Sequence, residues 1–115
     1  MLRYLAPAAF ALALALPAPL TAAEDAEPEF TESFMHDEEN IQLGRELFRQ
    51  QCSRCHGKGS YPGKAPKLKP AKSTPEDIYA KVTYGFGKMP AWEEVFSNHE
   101  RAAITAYMKS PIFSN

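Results

Sequence analysis

The sequence predicts an all-α fold with about three main helices and long loops. Apolar residues recur three and four positions apart in separate stretches, which is the spacing of one helix face. The capping-box pattern occurs twice, at residues 74–77 and 97–100, and each occurrence marks the start of a helix. No stretch alternates apolar and polar residues as a half-buried strand would.

The chain begins with the three parts of an export signal. Arg3 gives a positive start, residues 5–16 form an apolar run, and small residues lead up to Ala23. Because the run is too short to cross a bilayer, we expect residues 1–23 to be a signal peptide that is removed on export to the periplasm. An uncleaved membrane anchor and a buried helix are the alternatives. We expect no stable membrane insertion after cleavage, because no later stretch approaches spanning length.

The formal net charge is −1, but the charges are unevenly distributed. Residues 24–36 are predicted to form an acidic flexible arm, whose apolar residues could still dock on the domain. A second segment, here called the lysine cluster, contains no carboxylate and consists of Lys58, Lys64, Lys67, Lys69 and Lys72. Nucleic-acid binding is not expected, because the chain has no overall basic excess.

The predicted domain, residues 37–115, starts with a helix that runs into Cys52. Three acidic residues at its start suit the helix dipole, and apolar residues from Ile41 to Phe48 line one face. A loop rich in glycine, proline and lysine follows up to residue 73. The second helix is predicted between the cap Thr74 and Gly85. The third begins at the cap Ser97 and ends before Pro111.

The pentapeptide Cys52-Ser53-Arg54-Cys55-His56 is the most specific chemical signal. Two thiols three positions apart match the two vinyl groups of one haem, and the adjacent His56 then serves as an iron ligand. A redox-active dithiol would usually accompany a βαβ pattern, which is absent, and a zinc site would need another nearby Cys or His pair. We therefore predict one haem c, attached through Cys52 and Cys55.

Met89 is the candidate for the second axial ligand. It lies in a glycine-rich loop and is followed by Pro90, which fixes the turn. Met35 and Met108 lie in the acidic arm and on the last helix, where methionine usually fills gaps in a core, and that interpretation stays open for Met89. Ligation by His and Met fills both axial positions and raises the reduction potential, which suits electron transfer.

From about residue 41 to residue 108, the chain resembles the class I cytochrome c family. The haem motif and the Met89 loop match the two segments that carry the family's iron ligands. The family's contact between crossing terminal helices is matched by Gly44, Phe48, Ile104 and Tyr107. The resemblance implies the cytochrome c fold around one covalently bound haem. It also implies a role for the lysine cluster in steering acidic redox partners, although plain solubility is an equal alternative.

The segment Ala65-Pro66-Lys67-Leu68 resembles the family's Gly-Pro-x-Leu motif. This resemblance implies that the Pro66 carbonyl accepts a hydrogen bond from His56 and that Leu68 lies against the haem. Alanine replaces the family's usual glycine before Pro66, so we expect a different local turn. Only 32 residues separate His56 from Met89, so we also expect an exposed haem edge. Trp92 is predicted either to bond a haem propionate or to pack on the ring.

These observations predict a monomeric periplasmic electron carrier rather than an enzyme. Its iron would cycle between Fe(II) and Fe(III), with a dehydrogenase or membrane redox complex as donor and an oxidase or reductase as acceptor. The alternative is a haem enzyme or gas-binding protein, such as a peroxidase, in which the sixth iron position is open or labile.

Overall fold

The structure, a computed structural model, describes residues 13–17 and 26–114. Its helices are α1 (Glu32–Met35), α2 (Glu38–Leu47), α3 (Ser53–His56), α4 (Pro75–Tyr84) and α5 (Asn98–Lys109). A π-helical turn, Phe48–Cys52, joins α2 to α3, and a 3₁₀ turn spans Pro70–Lys72. The predicted all-α class and its three main helices, α2, α4 and α5, are confirmed.

The predicted signal peptide lies outside the described residues, apart from residues 13–17. Within the described ranges, no helix is both long enough and apolar enough to cross a membrane.

Helices α4 and α5 begin at the predicted caps, and α2 begins at Asp37, one of the acidic residues predicted at its start. Asp37 accepts a hydrogen bond from the backbone N–H of Asn40 (3.1 Å), and Thr74 caps α4 in the same way. Ser97 and Glu100 complete a reciprocal capping box, with distances of 3.0 and 3.1 Å between donor and acceptor. Such caps satisfy backbone donors that the first helical turn leaves unpaired. The starts of these helices are therefore encoded locally.

The core forms where α2 crosses α5. A Cβ atom added to Gly44 would lie 2.0 Å from the Ala103 carbonyl oxygen, so the two backbones are in direct contact. One turn further on, the Phe48 ring is 1% exposed and packs edge-on against Tyr107, with 5.6 Å between the ring centroids. The expected contact between these two helices is confirmed, and it fixes the segment that leads into the haem motif.

The described part of the acidic arm packs against α4 and α5. The Phe30 ring lies 5.6 Å from the ring of Tyr79, and the Phe34 ring lies 5.9 Å from that of His99. No ion pair joins the arm to the lysine cluster within the part of the chain that the structure describes. The arm's apolar residues thus have contacts on the domain, while its flexibility and its boundary at residue 36 stay predictions.

Candidate functional site

The haem motif lies at the end of a continuous helical rod formed by α2, the π-helical turn and α3. The π turn ends at Cys52, and α3 carries the rest of the motif to His56. Residues three apart on a helix share a face, so the rod presents both cysteines on one side. Cys52 is buried and Cys55 is exposed, and neither forms a disulfide.

The environment of Cys52 does not favour thiol redox chemistry. Burial raises the pKa of its thiol to about 11, and the neighbouring Cys55 contributes to the rise. Redox-active cysteines instead have lowered pKa values, because the thiolate is the reactive species. Within the described ranges there is also no cluster of three or more His, Cys, Asp or Glu residues that would hold a metal ion. Of the alternatives raised for this pentapeptide, haem attachment fits these surroundings best.

His56 presents a half-buried imidazole beside the core. Burial lowers its pKa below the ordinary value of 6.5, which favours the neutral ring that binds metals. Its Nδ1 atom is buried and has no hydrogen-bond partner in the structure. A buried nitrogen without a partner is costly in an ordinary core. The neutral ring suits an iron ligand, and the two thiols beside it suit the covalent attachment of a haem.

The expected hydrogen bond from His56 to the Pro66 carbonyl is not formed in this structure. The Ala65 N–H donates instead to the Cys55 carbonyl (2.9 Å), and the Leu68 N–H donates to the Ser60 carbonyl (3.0 Å). The first bond ties the segment to α3, the second ties it to the loop that follows α3, and both are donated by amides of the segment. The substitution of alanine for the family's glycine falls at the residue that makes the first of these bonds.

Met89 closes a tight turn between α4 and α5. Its N–H donates to the Phe86 carbonyl (2.9 Å), and its own carbonyl accepts from the Phe86 N–H (3.2 Å). Gly85 makes this turn possible, since its φ is +78° and a Cβ atom there would lie 2.6 Å from the Met89 carbonyl oxygen. The Met89 side chain is half-buried and packs against the core. The thioether is thus carried on a fixed backbone.

Leu68 and Trp92 are also half-buried and pack against the same core cluster. The Trp92 indole stacks on Phe96, with 5.4 Å between centroids and 19° between planes, while both of its predicted roles towards the haem stay predictions. Of the seven predicted site residues, Cys52 belongs to the core cluster, and Leu68, Met89 and Trp92 pack against it. His56 lies beside it, 6.4 Å from Phe48 between centroids, whereas Cys55 and Pro66 are exposed.

Sequence reasoning missed one residue that shapes this region. Arg101 lies on α5 and is only 4% exposed, and its guanidinium contacts the segment that follows Met89. The available signal was its position within the first turn of α5, next to the buried run that starts at Ala102. From the sequence, a charged residue at that position is predicted to be exposed, and only the fold shows that it is buried.

The comparisons with known proteins agree with this geometry. Residues 39–108 match the model of the family described as cytochrome c oxidase, cbb3-type, subunit III. The chain belongs to this family of c-type cytochrome domains. It is also similar to cytochrome c6 of Euglena gracilis, with 35% identity over 74 residues that cover 56% of this chain and 85% of the relative.

A solved structure shares the cytochrome fold. The c-type cytochrome NirC superposes with a TM-score of 0.53 at 25% identity, over 68% of this chain and 99% of NirC. These comparisons confirm the predicted resemblance, and the domain is a monohaem class I cytochrome c. Membership of the family implies covalently bound haem c, and the chain carries the two cysteines that attachment requires.

Proposed function

We propose that this cytochrome is an exported, single-haem electron carrier, attached to haem c through Cys52 and Cys55, with His56 and Met89 as axial ligands. The observation that carries the proposal is the fixed turn at Met89. Because the turn is locked by two backbone hydrogen bonds and by Gly85, the thioether needs little ordering to act as a ligand. When bound, haem c supplies an iron that alternates between Fe(II) and Fe(III).

The chain's contribution is to keep both axial positions occupied by its own side chains. His56 supplies a neutral imidazole, since burial lowers its pKa, and Met89 supplies a soft sulfur ligand. With both ligands supplied by the chain, small molecules would be kept from the iron, and it would change oxidation state with little rearrangement. This arrangement serves a carrier better than an enzyme that must bind a substrate at iron.

The proposed setting is the periplasm, reached through the signal at residues 1–23, with the protein acting as a monomer between redox proteins. Every lysine of the lysine cluster is exposed, which supports a role in steering acidic partners. The described arm lies on α4 and α5 and makes no ion pair with these lysines. That placement leaves the cluster accessible to a partner.

The deciding experiment is an optical and ligand-binding comparison of periplasmically expressed holoproteins. The parent should show a low-spin spectrum with a methionine–iron charge-transfer band, and carbon monoxide should bind the reduced form poorly. Met89→Ala should lose the band and bind carbon monoxide readily. Met108→Ala is the matched control, because Met108 is buried on α5 and is expected to be core filler. Its spectrum should match the parent's.

A high-spin parent that binds cyanide or carbon monoxide readily would favour the haem enzyme or gas-binding protein instead. Loss of the band in Met108→Ala, with retention in Met89→Ala, would show that Met108 is the iron ligand and Met89 is not. The first result contradicts the proposed carrier, and the second contradicts Met89 as the ligand.

A further inference from the structure

Arg101 is a buried cation whose partners are uncharged. One guanidinium nitrogen donates to the backbone carbonyls of Glu93 (3.0 Å) and Phe96, and the other donates to the Tyr79 hydroxyl (3.2 Å) and to the Asn98 side-chain oxygen. No carboxylate pairs with it among the described residues. Burying a cation is unfavourable unless it is hydrogen-bonded, so the side chain is held tightly to these four acceptors.

Both backbone acceptors lie in the second half of the Met89 loop. That half is already bonded to the end of α4, because the Trp92 N–H donates to the Val82 carbonyl (3.0 Å) and the Glu93 N–H donates to the Thr83 carbonyl (3.2 Å). Arg101 adds the link from the same segment to α5. The stretch that follows the ligand is thus held from two helices.

We propose that Arg101 is a positioning residue for the iron ligand. By holding the carbonyls of Glu93 and Phe96, it keeps the Met89 loop closed and so sets how well Met89 competes with other ligands for the iron. The inference rests on the proposed function, since it requires Met89 to be the sixth ligand. Hydrogen bonds from a charged donor are among the strongest in proteins, so losing them would destabilise the closed conformation of this loop.

The test compares Arg101→Met with Lys109→Met in the holoprotein. Lys109 is a matched control because it also lies on α5 and also donates to two backbone carbonyls, those of Pro70 (3.0 Å) and Ser73 (2.8 Å). Its acceptors belong to the other loop, away from Met89. Both variants should lose stability towards urea, whereas only Arg101→Met should change ligation.

The readouts are the methionine–iron charge-transfer band and titration with imidazole, which competes for the Met89 side of the iron. Arg101→Met should weaken the band and bind imidazole about tenfold more tightly or better, as expected when hydrogen bonds that close the loop are lost. The imidazole affinity of Lys109→Met should stay within about twofold of the parent's, because the loop that Lys109 holds carries no iron ligand. Arg101→Lys, which retains the cation without the planar fork, should lie between the parent and Arg101→Met.

Two results overturn the proposal in distinguishable ways. If the parent shows the band and loses it in Met89→Ala, but Arg101→Met binds imidazole as the parent does, Arg101 has only a structural role. If the parent lacks the band, the proposed ligation fails and this inference fails with it. Should Arg101→Met not accumulate, the same titration of Arg101→Lys decides, and a value equal to the parent's counts against positioning.

Discussion

Replacing Gly44 with alanine tests the helix crossing that carries the haem motif. The new Cβ atom would lie 2.0 Å from the Ala103 carbonyl oxygen and 2.9 Å from the Ile104 nitrogen, whereas non-bonded heavy atoms prefer about 3.5 Å or more. The obstructing atoms are backbone, so relief requires α2 and α5 to separate by roughly 1 Å or more. That movement would loosen the contact between Phe48 and Tyr107.

Two opposing terms set the magnitude. Alanine is intrinsically better than glycine within a helix by about 1 kcal/mol. Overpacking a tight contact costs about 1–3 kcal/mol, and the upper part of that range applies here because no side chain can rotate away. We therefore expect Gly44→Ala to lower the free energy of unfolding by about 2 kcal/mol.

The assay is urea unfolding of the oxidised holoprotein, followed by circular dichroism. Gln42 provides an internal reference, since it is exposed on the same helix, and the difference between Gln42→Gly and Gln42→Ala measures the intrinsic term in this context. A Gly44→Ala protein as stable as the parent, or stabilised by the amount that the Gln42 pair shows, would refute the close crossing.

Three further predictions concern the cofactor, alkaline pH and surface charge. Cys55→Ala should yield little stable holoprotein in periplasmic expression, measured as haem per protein, because a small domain depends on its bound cofactor for core. Burial raises the pKa of Tyr107 above 10, so its contribution to stability is present below pH 10 and is lost as pH rises towards the raised value. Tyr107→Phe should therefore lose less unfolding free energy than the parent as the pH rises above about 10. Replacing Lys67 and Lys69 with glutamine should slow oxidation of the reduced protein by the ferricyanide anion at low salt, with the effect vanishing at high salt.

Each of these has a contrary outcome, and the tyrosine and lysine predictions also have a control variant. Soluble, stably folded Cys55→Ala without haem would contradict the role of the cofactor in the core. Tyr84→Phe alters an exposed ring and is the control for burial. An equal effect of both tyrosine variants on the pH dependence of stability would show that burial of Tyr107 is not its cause. Arg45→Gln removes an exposed cation from α2, and an equal slowing by this variant would show that net charge matters rather than the lysine cluster.

The helices could be predicted because their signals are local. Asp37, Thr74 and Ser97 are followed by the backbone donors that they cap, and the structure places each at a helix start. The contact of Gly44 with α5 was also predictable, because a small residue one turn from an aromatic one marks a close approach and the family resemblance indicated its partner.

The remaining features depend on contacts between distant segments. The sequence gives no sign that the guanidinium of Arg101 meets carbonyls of a loop several residues earlier, because backbone acceptors carry no residue-specific signal. The π-helical turn at Phe48–Cys52 likewise has no local signature. The bond from His56 to the Pro66 carbonyl stays a prediction from the resemblance, since the motif is matched at Pro66 and Leu68 but altered at the residue before them.

The two ends of α5 give the chain an order of assembly. Arg101 near one end holds the loop that follows Met89, and Lys109 at the other end holds the turn at Pro70–Lys72. Both loops precede α5 in the chain, and the haem motif precedes them all. As the chain is synthesised, the cysteines therefore emerge well before the helix that secures the loops. The haem motif would stay accessible for attachment until α5 docks and closes the domain.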